Sequence, residues 1–309
     1  MLLSVALKSY EQEDPGTWGP LLSRARLLDR AGVDRVLVSD HVAFGEDLGE
    51  YGRPEIGGQA GGTQPTGPDG SWLEPLTLLS VIAGQTSRIR LCTNILLAAL
   101  RTPAVLAKQA ATLDVLSEGR LDMGVGVGWQ KAEYDAAGLA FAGRGRLLEH
   151  SLDVCQLLWT QQRASYSAPE LTFEKIHSMP KPAQPGGVPI WISGTVNKRV
   201  VARLARYGSR WIPWGPSAAS LGDSVKQLRD ELTVAGADPA ALRVLGSLPV
   251  HLNAGGLVDV GRTMAAVPEL AELGITDVTA RFPLPGDDGA AEEQLVPLVQ
   301  EFRAAAGRR

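Results

Sequence analysis

One rhythm constrains this chain more than any other feature. A short apolar run of strand length is followed by a break of turn-forming residues and a stretch with helical periodicity, and then the cycle restarts. Leu2 to Leu7 opens it. Asp14-Pro15-Gly16-Thr17 breaks the chain, and the next segment sets Leu21, Leu22, Ala25 and Leu28 on one helical face before Gly32, a residue suited to a left-handed cap. Arg35–Ser39 (RVLVS) reads as a strand buried on both faces. Ser71 and Glu74 have capping-box spacing and predict a helix to about Gln85, with Pro75 in the first turn, where its missing N–H does little harm. Ile89–Ile95 is the third strand, and Thr102-Pro103 supplies an N-cap and N1 proline for the helix that follows.

The pattern continues with a strand over Arg120–Gly126 and a helix over Leu147–Trp159, then Ile190–Ser193 and Asn197–Arg206. The last cycles are Ser209–Ile212 with Val225–Ala235, Val244–Leu252 with Val260–Leu273, and Thr276–Arg281 with Glu293–Ala304. Eight strand–helix pairs in order predict one (β/α)8 TIM barrel over residues 1–309, not an open doubly wound sheet. Two stretches interrupt the cycle. Residues 44–70 are rich in Gly and carry Pro54, Pro65 and Pro68; they follow the second strand, where a barrel places its catalytic loops. Residues 161–188 hold four prolines and precede the fifth strand, so they lengthen a helix-to-strand connection before it crosses to the active face. Both insertions are expected to shape the substrate pocket.

Composition excludes several functions. A net charge of -4 lacks the basic field of a nucleic-acid binder. No run of about 18 apolar residues is present to span a membrane. The N-terminus lacks the basic flank and cleavage site of a signal peptide. Cys92 and Cys155 have no motif spacing and read as buried thiols of a cytoplasmic protein. His150, His177 and His251 are too scattered to suggest a metal site.

In a barrel, chemistry sits at the C-terminal ends of strands. Those ends read Ser39-Asp40-His41, Thr93-Asn94-Ile95, Gly126-Val127-Gly128-Trp129 and Ser193-Gly194-Thr195. Asp40 and His41 are either an acid–base pair or a solvated loop histidine beside a capping aspartate. The glycine run 124–128 is not a dinucleotide fingerprint, because Trp129 stands where the third glycine belongs. Gly126 and Gly128 instead permit close approach of a flat ligand or of neighbouring backbone. Ser193-Gly194-Thr195 runs into a helix whose N-terminal N–H groups, with Lys198 and Arg199, suit a phosphate. Trp129, Trp191, Trp211 and Trp214 cluster near strand ends and read as ligand wall or as core.

Together the segments SDHV (39–42), WLEPL (72–76), TNIL (93–96), RTPAVLAKQ (101–109), LSEGRLDMGVGVGW (116–129), EYDAAG (133–138), RGRLLE (144–149) and PIWISG (189–194) resemble the luciferase-like flavin and deazaflavin oxidoreductases. The resemblance covers about residues 1–215. It implies a TIM barrel with an isoalloxazine-type cofactor on its C-terminal face and a cis peptide at Asn94–Ile95 propping the ring. The S-D-H ending resembles the branch that uses coenzyme F420; the FMN branch usually departs from it.

On that resemblance Asp40 and His41 face the deazaflavin as catalytic residues, and Asp40, Asn94 and Ile95 also hold the ring. Gly126, Gly128, Trp129, Ser193, Gly194 and Thr195 hold the remainder and the phosphate. F420-dependent sugar-phosphate dehydrogenases of the family carry a catalytic Glu where this chain has Trp129, with Glu133 one helical turn on. The implied activity is therefore an F420-dependent reductase acting on a small organic molecule, and the family also implies a homodimer paired through helices two and three. The alternatives are an FMN-dependent monooxygenase and a non-catalytic flavin-binding barrel.

Overall fold

The computed structural model describes residues 1–308. Each apolar run becomes a strand, and each strand pairs in parallel with the next in sequence. They are β1 (Leu2–Ala6), β2 (Arg35–Val38), β3 (Arg90–Leu96), β4 (Leu121–Val125), β5 (Ile190–Gly194), β6 (Arg210–Pro213), β7 (Arg243–Ser247) and β8 (Asp277–Ala280). The ring closes because β1 pairs with both β2 and β8, placing Ser4 opposite Arg35 and Leu2 opposite Asp277. Around it run α1 (Gly19–Ala31), α2 (Pro75–Ala83), α3 (Pro103–Leu116), α4 (Arg144–Thr160), α5 (Lys198–Tyr207), α6 (Leu221–Val234), α7 (Val260–Glu272) and α8 (Asp288–Ala305). This is the expected (β/α)8 barrel. Gly32 ends α1 at φ 88°, in the left-handed region where glycine is unstrained.

Alternation along the strands divides the buried side chains into two sets. Outward residues such as Leu3, Val36, Met123 and Ile192 pack beneath the helices in one large core. Inward, Leu37, Cys92, Trp191, Ile212 and Leu245 fill the lumen against Ile95. Burial pushes the Cys92 thiol up to about 12 and raises Cys155 as well, so both are inert packing groups.

The lumen's floor is ionic where most barrels use branched apolar residues. Arg35 donates to Asp277 at 3.0 Å, and its Nε lies 3.0 Å from Asp122. Arg243 grips both oxygens of Asp277 at 2.8 and 2.9 Å, while Arg90 grips both oxygens of Asp122 at 3.0 and 2.8 Å. The Arg35 and Arg243 guanidinium groups lie 4.8 and 5.6 Å from the Trp191 ring.

Three local expectations are corrected. Ser71 does not cap a helix: Ser71–Trp72 pairs antiparallel with Tyr10–Glu11 at the barrel mouth, and Glu74 caps α2 by accepting from Thr77 N at 2.7 Å. The seventh strand stops at Ser247 instead of Leu252, since Pro249 offers no amide to the ladder. The 161–188 insertion is not at the active face. It forms a hairpin, Ala164–Ala168 with Leu171–Ile176, lying along the outside of α4 through the contacts His150–Tyr166 and Arg146–Glu170. It then returns under the barrel, where Gln184 bonds Asp114, Leu121 and Arg90. No helix among the described residues is long and apolar enough to cross a membrane.

Burial opposes ionisation of Asp122, but Arg35 and Arg90 outweigh it and hold the carboxyl below the usual range. A lowered folded-state value means stabilisation that is complete above the unfolded value of about 4 and is lost as pH falls through the folded one. Asp122→Asn is expected to lose about 3–5 kcal/mol in urea unfolding at pH 7. The gap to wild type narrows at pH 3, and an unchanged gap would contradict this account.

Candidate active site

The ends of β2, β3, β4 and β6 converge on one mouth. Asp40, just past β2, is fully enclosed there, with 0% of its side chain exposed. Arg101 clamps both of its oxygens at 2.6 and 3.0 Å, and Leu97 N donates to Oδ2 at 2.8 Å. Arg101 also reaches Glu74 at 2.8 Å. Asp40 therefore ties the end of β2 to the chain leaving β3 and presents no free oxygen to a ligand, which corrects the expectation that it faces a ring. The Asn94–Ile95 peptide beside this clamp is cis, and both residues are half-buried at the mouth.

His41 is the residue that faces inward. Its Nδ1 lies 3.2 Å from Glu133 Oε1, and that oxygen also accepts Val42 N at 2.7 Å. The ring is close enough for charge to act but is not aligned for a straight hydrogen bond. Glu133 sits on a short helix, Lys131–Ala136, and is almost wholly buried. Its neighbour Gln130 accepts Gly45 N at 3.1 Å, so two side chains pin the start of the 44–70 segment. Glu133 Oε2 and Gln130 Nε2 are buried with no hydrogen-bond partner.

Aromatic rings surround His41. Phe44, Trp72 and Trp129 stand 4.4, 4.8 and 5.8 Å away between ring centres. Tyr10 stacks on Trp72 at 4.3 Å, and Tyr51 meets Trp129 at 5.4 Å and Trp214 at 6.4 Å. The four tryptophans singled out in the sequence thus part company. Trp129 and Trp214 wall the mouth, Trp191 fills the lumen, and Trp211 points outward to donate to Gly194 O at 2.9 Å.

Gly126 and Gly128 are small for internal reasons. A Cβ at Gly126 would meet the Ile95 side chain at 2.8 Å and one at Gly128 would meet the Leu97 side chain at 2.8 Å, so packed side chains, neither a ligand nor neighbouring backbone, fill those directions. At Ser193-Gly194-Thr195 much of the expected anion cradle is already used. Arg199 and Val200 N–H donate to Asn197, Val196 N donates to Ser217, and Thr195 Oγ1 donates to Trp214 O. Lys198 and Arg199 are exposed beside it. Among the described residues, no group of three or more His, Cys, Asp or Glu gathers as for a metal.

A family model described as luciferase-like monooxygenase matches residues 2–255. The chain belongs to that family. Within reach of it lies a Mycobacterium tuberculosis protein, Rv0953c, 33% identical over 219 residues that cover 71% of this chain and 73% of the relative. Two solved structures share the fold. An F420-dependent secondary alcohol dehydrogenase with an F420–acetone adduct has a TM-score of 0.72 at 16% identity, covering 98% of this chain and 99% of its own. A type II Baeyer–Villiger monooxygenase of Pseudomonas putida in complex with FMN has a TM-score of 0.74 at 14% identity, covering 99% and 98%. Solved proteins that share this fold thus include one with F420 and one with FMN.

Sequence reasoning missed Arg101, Gln130, Tyr51 and Trp72, and it passed over Glu133 as misplaced. For Glu133 a signal existed, since it begins the EYDAAG segment. Trp72 and Arg101 likewise begin the WLEPL and RTPAVLAKQ segments, whereas Gln130 and Tyr51 carry no motif and matter only through contacts made across the barrel. The clamp is testable. Asp40→Asn and Arg101→Gln should each lower stability by about 1.5–3 kcal/mol, and the double variant by clearly less than their sum. Additive losses in thermal unfolding would mean that the two residues do not act as a unit.

Proposed function

We propose that this protein is an F420-dependent oxidoreductase that transfers hydride between the deazaflavin and a small organic substrate, acting as a reductase, with His41 moving the accompanying proton. The observation that carries this reading is His41 held against the buried Glu133 carboxylate inside a ring of aromatic walls. A flavin-type ring needs flat apolar faces and a few polar groups at its edge. Trp72, Trp129 and Trp214 supply the faces. Asn94 and His41, both half-buried at the mouth, supply the edge, so the residues present fit such a ring. For the tail, Lys198 and Arg199 with Ser193 and Thr195 remain the candidates.

When bound, the reduced deazaflavin supplies hydride to one atom of an activated C=C or C=N bond. His41 supplies the proton that the other atom takes up, and regains one from water. Glu133 lies beside Nδ1 and leaves Nε2 as the nitrogen toward the mouth. Asp40 and Arg101 hold the strand end from which His41 projects, so their part is positioning. Aromatic walls keep water from the reacting atoms. The same enclosure supports a second reading, an FMN-dependent monooxygenase, because oxygen chemistry on a reduced flavin also needs water excluded.

Titration of the protein with F420 and with FMN separates the two. Tight F420 binding is expected; tight FMN binding without F420 binding overturns the first reading in favour of the second. His41→Ala should lower kcat by about 100-fold or more with cofactor affinity nearly kept, and unaffected turnover would remove His41 from the chemistry. A homodimer is supported by Val81 on α2 and Val105 and Leu116 on α3, which are 43, 54 and 72% exposed. Leu116→Glu is expected to shift the sedimentation velocity of the protein from dimer to monomer.

A further inference from the structure

The 44–70 segment crosses the barrel mouth as a strap held firmly only at its ends. Its start is pinned by Glu133 on Val42 N and Gln130 on Gly45 N. Its far end is held by Trp72 donating to Thr66 at 2.8 Å and by Gln12 accepting Gly67 N at 3.1 Å. Between these anchors, residues 46–62 take hydrogen bonds from just two side chains outside the segment. Trp214 Nε1 donates to Gly57 O at 3.1 Å and to Gly58 O at 3.3 Å, and Arg144 Nη2 donates to Ile56 O at 2.6 Å. Of residues 46–62 only Gly58 is buried. Lifting this stretch therefore exposes little apolar core and breaks three bonds to backbone carbonyls.

Between its anchors, residues 46–62 insert one aromatic side chain into the mouth, Tyr51, edge-on between Trp129 and Trp214. We infer that the Tyr51 ring occupies a ligand subsite: Trp129 and Trp214 form a slot for a flat, uncharged ring bearing carbonyl oxygens, which enters by displacing Tyr51 and the 46–62 strap. The inference rests on the reading that this mouth is the cofactor and substrate site. The occupant's class follows from what the strap presents there. Its ring is a neutral phenol, kept so by burial that pushes Tyr51 up. The donors freed when it leaves, the Trp214 indole N–H and an Arg144 N–H, now rest on carbonyl oxygens, and carbonyls on an entering ring replace them like for like. Leaving those donors unpaired would be costly, which favours a ring with acceptors over a bare hydrocarbon.

The test uses the full chain, with lumiflavin as a tailless cofactor ring, 2-quinolone as a substrate-like ring, and indole as a ring without a carbonyl. Binding is read by calorimetry and strap position by a Glu-specific protease cutting at Glu46, Glu50 and Glu55. Lumiflavin or 2-quinolone is expected to speed cleavage several-fold. Tyr51→Ala, which removes a half-buried side chain outside the main core, should bind the same probe about fivefold tighter, since the closed state no longer competes. Trp214→Phe should be cut faster without ligand yet bind more weakly. Response to lumiflavin alone assigns the slot to the cofactor ring, and response to 2-quinolone alone assigns it to the substrate. Equal affinity in wild type and Tyr51→Ala with unchanged cleavage, weaker binding by Tyr51→Ala, or indole binding as well as 2-quinolone overturns this inference alone. No binding of F420, FMN or any probe to either protein overturns the reading of the mouth itself.

Discussion

Closure of the ring through β1 is the constraint from which the rest follows. Once β1 pairs on both edges, no strand has a free edge, and every strand must bury one face in the lumen and the other beneath helices. The lumen then has to be filled along its length by side chains that differ with depth. At the floor, where strands begin, the charges of Arg35, Asp122, Asp277 and Arg243 pair with one another. In the middle, Leu37, Cys92, Trp191, Ile212 and Leu245 fill the space without polar demand, apart from the Trp191 N–H. At the top the strands end, and the chain is free to present chemistry.

That freedom is controlled by buried carboxylates. Asp40 binds Arg101 and Leu97 N, joining the end of β2 to the exit from β3. Glu133 collects Val42 N and the His41 ring, joining the same loop to the chain after β4. Each carboxylate fixes backbone in two places, so neighbouring residues inherit a set position. His41, between the two, is aimed by both, and the difference between Asp40 and His41 is one of task. Asp40 is consumed by structure, while His41 keeps a face toward the mouth.

The architecture was legible because periodicity reports burial directly. All eight strands were located from apolar runs, and the N1 prolines and the Gly32 cap marked helix ends with known backbone reasons. Ser71 misled because the spacing of a capping box does not reveal that Tyr10–Glu11 passes close enough to draw Ser71–Trp72 into a ladder. The glycines at 126 and 128 are positions needing a small residue, yet what crowds them is a side chain within β3, Ile95, and one just past its end, Leu97. The placement of 161–188 failed for a similar reason: loop length says nothing about which end of the barrel the loop serves.

The sequence alone determined the alternation, hence the barrel, its lumen and the strand ends where a site must lie. Its motifs placed His41 and the Asn94–Ile95 bond at that rim. Only the tertiary structure decided which rim residues face the mouth. Arg101 is 61 residues from Asp40 and Glu133 is 91 from Val42, and no local pattern records such pairings. A carboxylate's role depends on which donors reach it, and those donors arrive from other strands once the ring has closed. Tyr51 and Trp214, 163 positions apart in number, become neighbours for the same reason.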